Sequence, residues 1–166
     1  MPPPARGEAG PCPGTPRPSP ASDALLDLET PPEHDPGHVL VVQRVGQGLF
    51  RDGLLELWEG RCAVTGLAVP ALLRASHIKP WAGCESDAER FDVHNGLLLA
   101  PQLDAAFDRG FITVQDDGAI TVSAPLNEEA RAILCLEHPL RVHGVTEGHR
   151  SYLPWHRQRV FRGTGP

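Results

Sequence analysis

Between residues 39 and 58 the apolar positions Val45, Leu49, Phe50, Leu54, Leu57 and Trp58 recur at helical spacing and predict an amphipathic helix. Gly46, Gly48 and Gly53 weaken it, each by up to about 1 kcal/mol relative to alanine, so tertiary packing is expected to hold it. Residues 61–66 (RCAVTG) read as a short extended piece closing in a turn. Residues 71–78 (ALLRASHI) read as a strand stopped before Pro80, and a polar loop over 83–92 follows. Asn95-Gly96, which taken alone reads as a turn, opens a second apolar run, Leu97 to Ala100. A short helix is predicted over 101–109, with proline near its start and Gly110 beyond its end. Two alternating runs around Asp117-Gly118 (111–123) predict a β-hairpin. Helices are predicted over 127–135, capped by Asn127, and over 151–161, where Pro154 is tolerable in the first turn. No internal repeat is visible.

Composition separates this patterned stretch from what precedes it. Of the 18 prolines in the 166 residues, eleven fall in residues 1–36. Such a segment, poor in aromatics, cannot offset the entropy of ordering. The expected organisation is a disordered leader over 1–37 and one folded domain over 38–166, long enough to bury a core. No apolar run approaches the length of a membrane span, and the N-terminus lacks the basic and apolar regions of a secretory signal. Four cysteines, at 12, 62, 84 and 135, form no tight pair, so neither a disulfide framework nor structural zinc is expected. A reducing cytoplasm is the natural compartment.

The chain has a net charge of −6, which excludes a protein coated in positive charge but not a local basic patch. Residues 141–166 hold five arginines against one glutamate. Arginine suits bidentate phosphate contacts, although a GC-rich genome would also enrich it.

The candidate chemistry lies in the order strand, loop, strand, helix. Asp104 and Asp108 are four apart, so a helix projects both carboxylates from one face. Unaided they repel; a hard divalent cation such as magnesium or manganese reverses the sign. Solvated surface acids would give the same spacing. His77 ends the first strand, and Asn95 precedes the second.

Together these residues resemble the HNH endonuclease family, in its branch resembling restriction endonucleases. The matching strings are RVGQGLFRDGLLELW (44–58), RCAVTG (61–66), LLRASHIKPWA (72–82), RFDVHNGLLLAPQLDAAFDRGFIT (90–113) and YLPWHRQRVF (152–161). The resemblance implies an α+β fold: a ββα-metal nuclease core with flanking helices and an extra β-hairpin. It implies His77 as general base and Asn95 as the central asparagine, both counted as catalytic, with Asp104 and Asp108 as ligands of a magnesium or manganese ion. Asp104 stands where the family usually has histidine, and Ser76 where many members carry a further ligand. Only Cys62 remains of the cysteine pairs of zinc-stapled members.

The implied function is metal-dependent hydrolysis of DNA phosphodiester bonds, with restriction of foreign DNA suggested by resemblance alone. Arg74, Lys79, Arg109, Arg157 and Arg159 are the candidate DNA contacts, and a homodimer or a separate recognition protein the candidate partner. The alternatives are a catalytically silent nucleic-acid-binding module of the same fold and an interaction protein working through its proline-rich leader.

Overall fold

The computed structural model describes residues 36–163, with side chains from residue 46 onward, and the leader expected over 1–37 lies outside them except for its last two residues. Helix α1 (Pro36–Leu57) is longer than its pattern predicts. Two of its glycines serve close packing: a Cβ on Gly46 would meet the Phe91 and Trp81 rings, and one on Gly53 the Val93 side chain, while Gly48 faces open space. Phe50 and Leu54, four apart on one face, are buried in the core.

Strand β1 (Arg74–His77) pairs antiparallel with β2 (Gly96–Leu99), in the register Ala75 to Leu98 and His77 to Gly96. The predicted strand over 71–78 is shortened at its start by a 3₁₀ turn at Pro70–Leu72. All of β2 is buried, which explains its unbroken apolar run. Helix α3 (Pro101–Asp108) follows at once and packs on β1. This β1–β2–α3 order is the expected ββα arrangement within an α+β fold.

The connection between β1 and β2 is where the expectation of a plain polar loop fails. It contains a short helix, α2 (Asp87–Phe91), whose cap Ser86 accepts the Glu89 N–H. Its Ser-x-x-Glu start is a capping signal, but five residues are too few for periodicity to register. Gly96 likewise is no turn glycine. Its backbone is extended (φ −151°), and it is small because a Cβ there would overlap the Phe50 ring and Leu54.

The predicted hairpin is present as β3 (Ile112–Val114) paired antiparallel with β4 (Ile120–Val122). Gly118 turns between them at φ +88°. Helix α4 (Glu128–Ile133) is capped by the Asn127 side chain, which accepts the Ala130 N–H. Helix α5 (Glu147–Arg159) starts four residues earlier than predicted, because His149 closes a capping box with Thr146. Among the described residues no helix is long and apolar enough to cross a membrane.

Helix α5 docks through two buried histidines. His149 and His156 are about 0–1 % exposed, and burial pushes both pKa values down to about 4. The unfolded chain, with histidine near 6.5, binds more protons between those values, so stability is complete above about pH 6.5 and declines as pH falls toward 4. Each histidine contributes up to roughly 3 kcal/mol to that decline. Urea midpoints measured from pH 7 to 4.5 should fall steadily; a flat profile would show that neither histidine is held neutral by the fold.

Candidate active site

His77 is half-buried at the end of β1, and its environment orients one face and one nitrogen of the ring. The Phe50 ring stacks on it at 3.8 Å with 12° between planes, and Trp81 lies edge-on at 6.0 Å. Nε2 lies 3.0 Å from the Arg90 carbonyl oxygen. A carbonyl only accepts, so Nε2 carries the proton and Nδ1 holds the lone pair. Burial lowers the His77 pKa, with the Arg90 carbonyl partly opposing it, so the ring is neutral at pH 7.

The Arg90 carbonyl owes its place to Asn95. That side chain is fully buried and faces backbone. Its Oδ1 accepts the Lys79 N–H at 2.8 Å, and its Nδ2 donates to the carbonyls of Lys79 (3.1 Å) and Glu89 (3.0 Å), with Cys84 Sγ at 3.4 Å. Asn95 therefore ties the end of β1 to α2. It makes no hydrogen bond to His77 and does not line the cleft.

Strand alternation sends Ser76 to the opposite side from His77, toward α3. Its hydroxyl donates to Asp104 Oδ1 at 2.5 Å and lies 3.4 Å from Asp108 Oδ1. The two acids thus converge on one hydroxyl. Desolvation and then the charge of Asp104 raise the Asp108 pKa, against weaker opposition from Ser76 and Arg109. Asp108 also borders a cleft of about 340 Å³ shared with His77, Ala75, Pro80, Trp81 and His156. A cavity of similar size, about 360 Å³, lies beside Trp58, Cys62 and His143 but holds none of these groups.

The candidate DNA contacts divide. Arg74, Arg109 and Arg159 are exposed and make no ion pair among the described residues. Lys79 is buried, with its ammonium 2.8 Å from Glu89, a hydrogen bond that raises its pKa. Arg157 donates to the Val114 carbonyl and pairs with Asp116 at 2.9 Å, fixing α5 to the hairpin. Both side chains thus already hold partners within the protein, unlike the other three.

The family model described as HNH endonuclease matches residues 62–115, from Cys62 to just beyond the Asp pair and β3. That stretch is similar to the HNH endonuclease family. The HNH stretch covers β1, β2 and α3 but leaves α1 and α5 outside it. No curated protein matches the chain. Among solved structures it is similar to a modification-dependent TagI restriction endonuclease, with TM-score 0.45 and 23% identity over 65% of this chain and 36% of that one. The chain thus spans little more than a third of that protein's length.

Three functional features of this HNH core escaped the sequence. Ser76, which departs from the family pattern, joins the two acids; the Arg90 carbonyl sets the His77 tautomer; and Phe50 comes from a helix outside the matched stretch. Only alternation along β1 hinted at the first. Replacing Asn95 with alanine should strand three backbone groups and cost about 3 kcal/mol of stability. Thermal melts would show that destabilisation, and nitrogen NMR would show His77 no longer held in a single tautomer; an unshifted melt would refute the staple.

Proposed function

We propose that the chain hydrolyses DNA phosphodiester bonds with His77 as general base, an activity supported by the HNH match over residues 62–115. The observation that carries the reading is the neutral His77, with Nδ1 unprotonated, bordering the same cleft as Asp108. His77 Nδ1 takes a proton from the attacking water, which adds to phosphorus as the 3′ oxygen departs. Its lowered pKa keeps that nitrogen available at neutral pH.

The donor set fits a hard divalent ion. Asp104 and Asp108 offer carboxylate oxygens around the Ser76 hydroxyl, and the raised Asp108 pKa marks an acidic pair that a cation would relieve. Among the described residues no three or more His, Cys, Asp or Glu side chains gather as a metal cage. Magnesium is commonly held by one or two carboxylates plus water and substrate phosphate, so two acids suffice for magnesium or manganese. Such an ion, when bound, neutralises charge on the scissile phosphate and the departing oxygen.

Arg74, Arg109 and Arg159 are the proposed phosphate contacts. Phosphate contacts position without reading sequence, so base recognition is assigned elsewhere, to a homodimeric arrangement or a separate recognition protein. Restriction of foreign DNA in the cytoplasm is the proposed role, supported by the family resemblance and by the free thiols of Cys62, Cys84 and Cys135.

The deciding experiment combines plasmid cleavage with manganese calorimetry. His77→Ala should lower cleavage by about 10²–10⁴-fold with DNA affinity retained. Asp104→Asn and Asp108→Asn should each weaken manganese binding. Full cleavage by the His77 variant, or unaltered manganese affinity in both aspartate variants, would overturn the assignment. For the DNA surface, glutamine at Arg74, Arg109 and Arg159 should weaken binding to every sequence. Each arginine removed from a phosphate should flatten the slope of log affinity against log salt by about 0.9, whereas Arg157→Gln should leave the slope unchanged and cost stability.

A further inference from the structure

Outside the HNH match, α1 meets the site through two consecutive side chains. Phe50, 2 % exposed, lies face to face with the His77 imidazole at 3.8 Å. Arg51 donates to the Leu73 carbonyl, just ahead of β1, and to the Pro70 carbonyl, both at 2.7 Å. One residue thus reaches the last residue of the strand while the next fixes the backbone entering it.

The approach is built into β2 as well. His77 pairs with Gly96, and a Cβ at Gly96 would overlap the Phe50 ring. The position opposite the base is therefore empty of side chain where that ring enters. With Phe50 on one face, Trp81 edge-on at 6.0 Å and the Arg90 carbonyl on Nε2, the imidazole is restrained in rotation and in tautomer. A hydrogen bond at Nε2 alone restrains one atom. A ring plane packed on a second plane also restrains rotation about the bond joining ring to Cβ.

We propose that Phe50 is a positioning residue for His77, making α1 part of the catalytic centre rather than a support for the HNH core. The proposal rests on His77 acting as the base. Without the flat ring, the imidazole gains a rotated state in which Nε2–H leaves the Arg90 carbonyl and Nδ1 no longer faces the cleft. That state is unproductive, so turnover falls while substrate binding, which uses other residues, does not.

The test compares Phe50→Leu, which keeps an apolar side chain but removes the plane, with Leu54→Val. Leu54 is equally buried and would also meet a Cβ at Gly96, so its variant reports core damage with the ring still in place. In magnesium-dependent plasmid cleavage, Phe50→Leu should lower kcat at least about ten-fold with KM within about two-fold, and Leu54→Val should not. Imidazole nitrogen NMR of the full chain without DNA should show one Nε2–H tautomer for His77 in the wild type and in Leu54→Val. In Phe50→Leu it should show mixed or exchange-broadened signals. A Phe50→Leu protein matching Leu54→Val in both measurements would overturn the proposal. Should Phe50→Leu fail to fold, Phe50→Met serves in its place with the same expectations. A wild-type protein that cleaves nothing would sink the nuclease reading, and the tautomer comparison would still decide the role of Phe50.

Discussion

The His77 side of this domain depends on one buried amide. The stretch joining β1 to β2 is long, and its ends would be free to drift if only the strand ladder held them. Asn95 removes that freedom by pairing with both backbone groups of Lys79 and with the Glu89 carbonyl. Once α2 is fixed, Arg90 presents its carbonyl to His77, and Trp81 and Phe91 pack at 5.5 Å beside it. The Lys79–Glu89 pair reinforces the same loop, which is why a cation next to the catalytic strand faces inward. Buried polar groups are costly when unpaired, and here the Asn95 amide and the backbone groups it holds are all partnered, so the polarity of the loop favours one conformation.

What the sequence disclosed follows from how local each signal is. Proline at the start and glycine after the end delimit α3, Asn127 caps α4, and alternation around Asp117-Gly118 marks the hairpin; each is decided within a few residues. The spacing of Asp104 and Asp108 likewise reports a shared helix face, and both acids do converge on Ser76. The misses were questions of partnership across the chain. A lysine next to a candidate base looks like a phosphate contact until Glu89 is seen on its ammonium, and Arg157 until Asp116 is. Gly96 looks like a turn until α1 is found pressing on it. Charge and size are written at one position, but the group that uses them lies ten or more residues away along the chain.

The structure also explains why one histidine, among several buried ones, is suited to move a proton. His156 accepts the Thr113 hydroxyl on Nδ1 and donates from Nε2 to the Phe107 carbonyl, so both nitrogens are occupied. It is a fitting between α5 and α3. His149 accepts the Thr146 N–H on Nδ1, and its Nε2 is buried without a partner, shut away from solvent. Neither can exchange a proton with a water at a phosphate, although both have pKa values pushed to about 4. A strongly shifted pKa therefore singles out the wrong two residues. His77 differs in exposure: both it and His156 line the cleft that reaches Asp108, but His156 is buried with both nitrogens occupied, whereas His77 is only half-buried with one nitrogen bonded to Arg90. Its pKa is lowered enough to favour the neutral base, while the Arg90 carbonyl opposes part of that shift. A general base works best when its pKa stays near the operating pH and its lone pair can meet water, and of these three histidines only His77 satisfies the second condition.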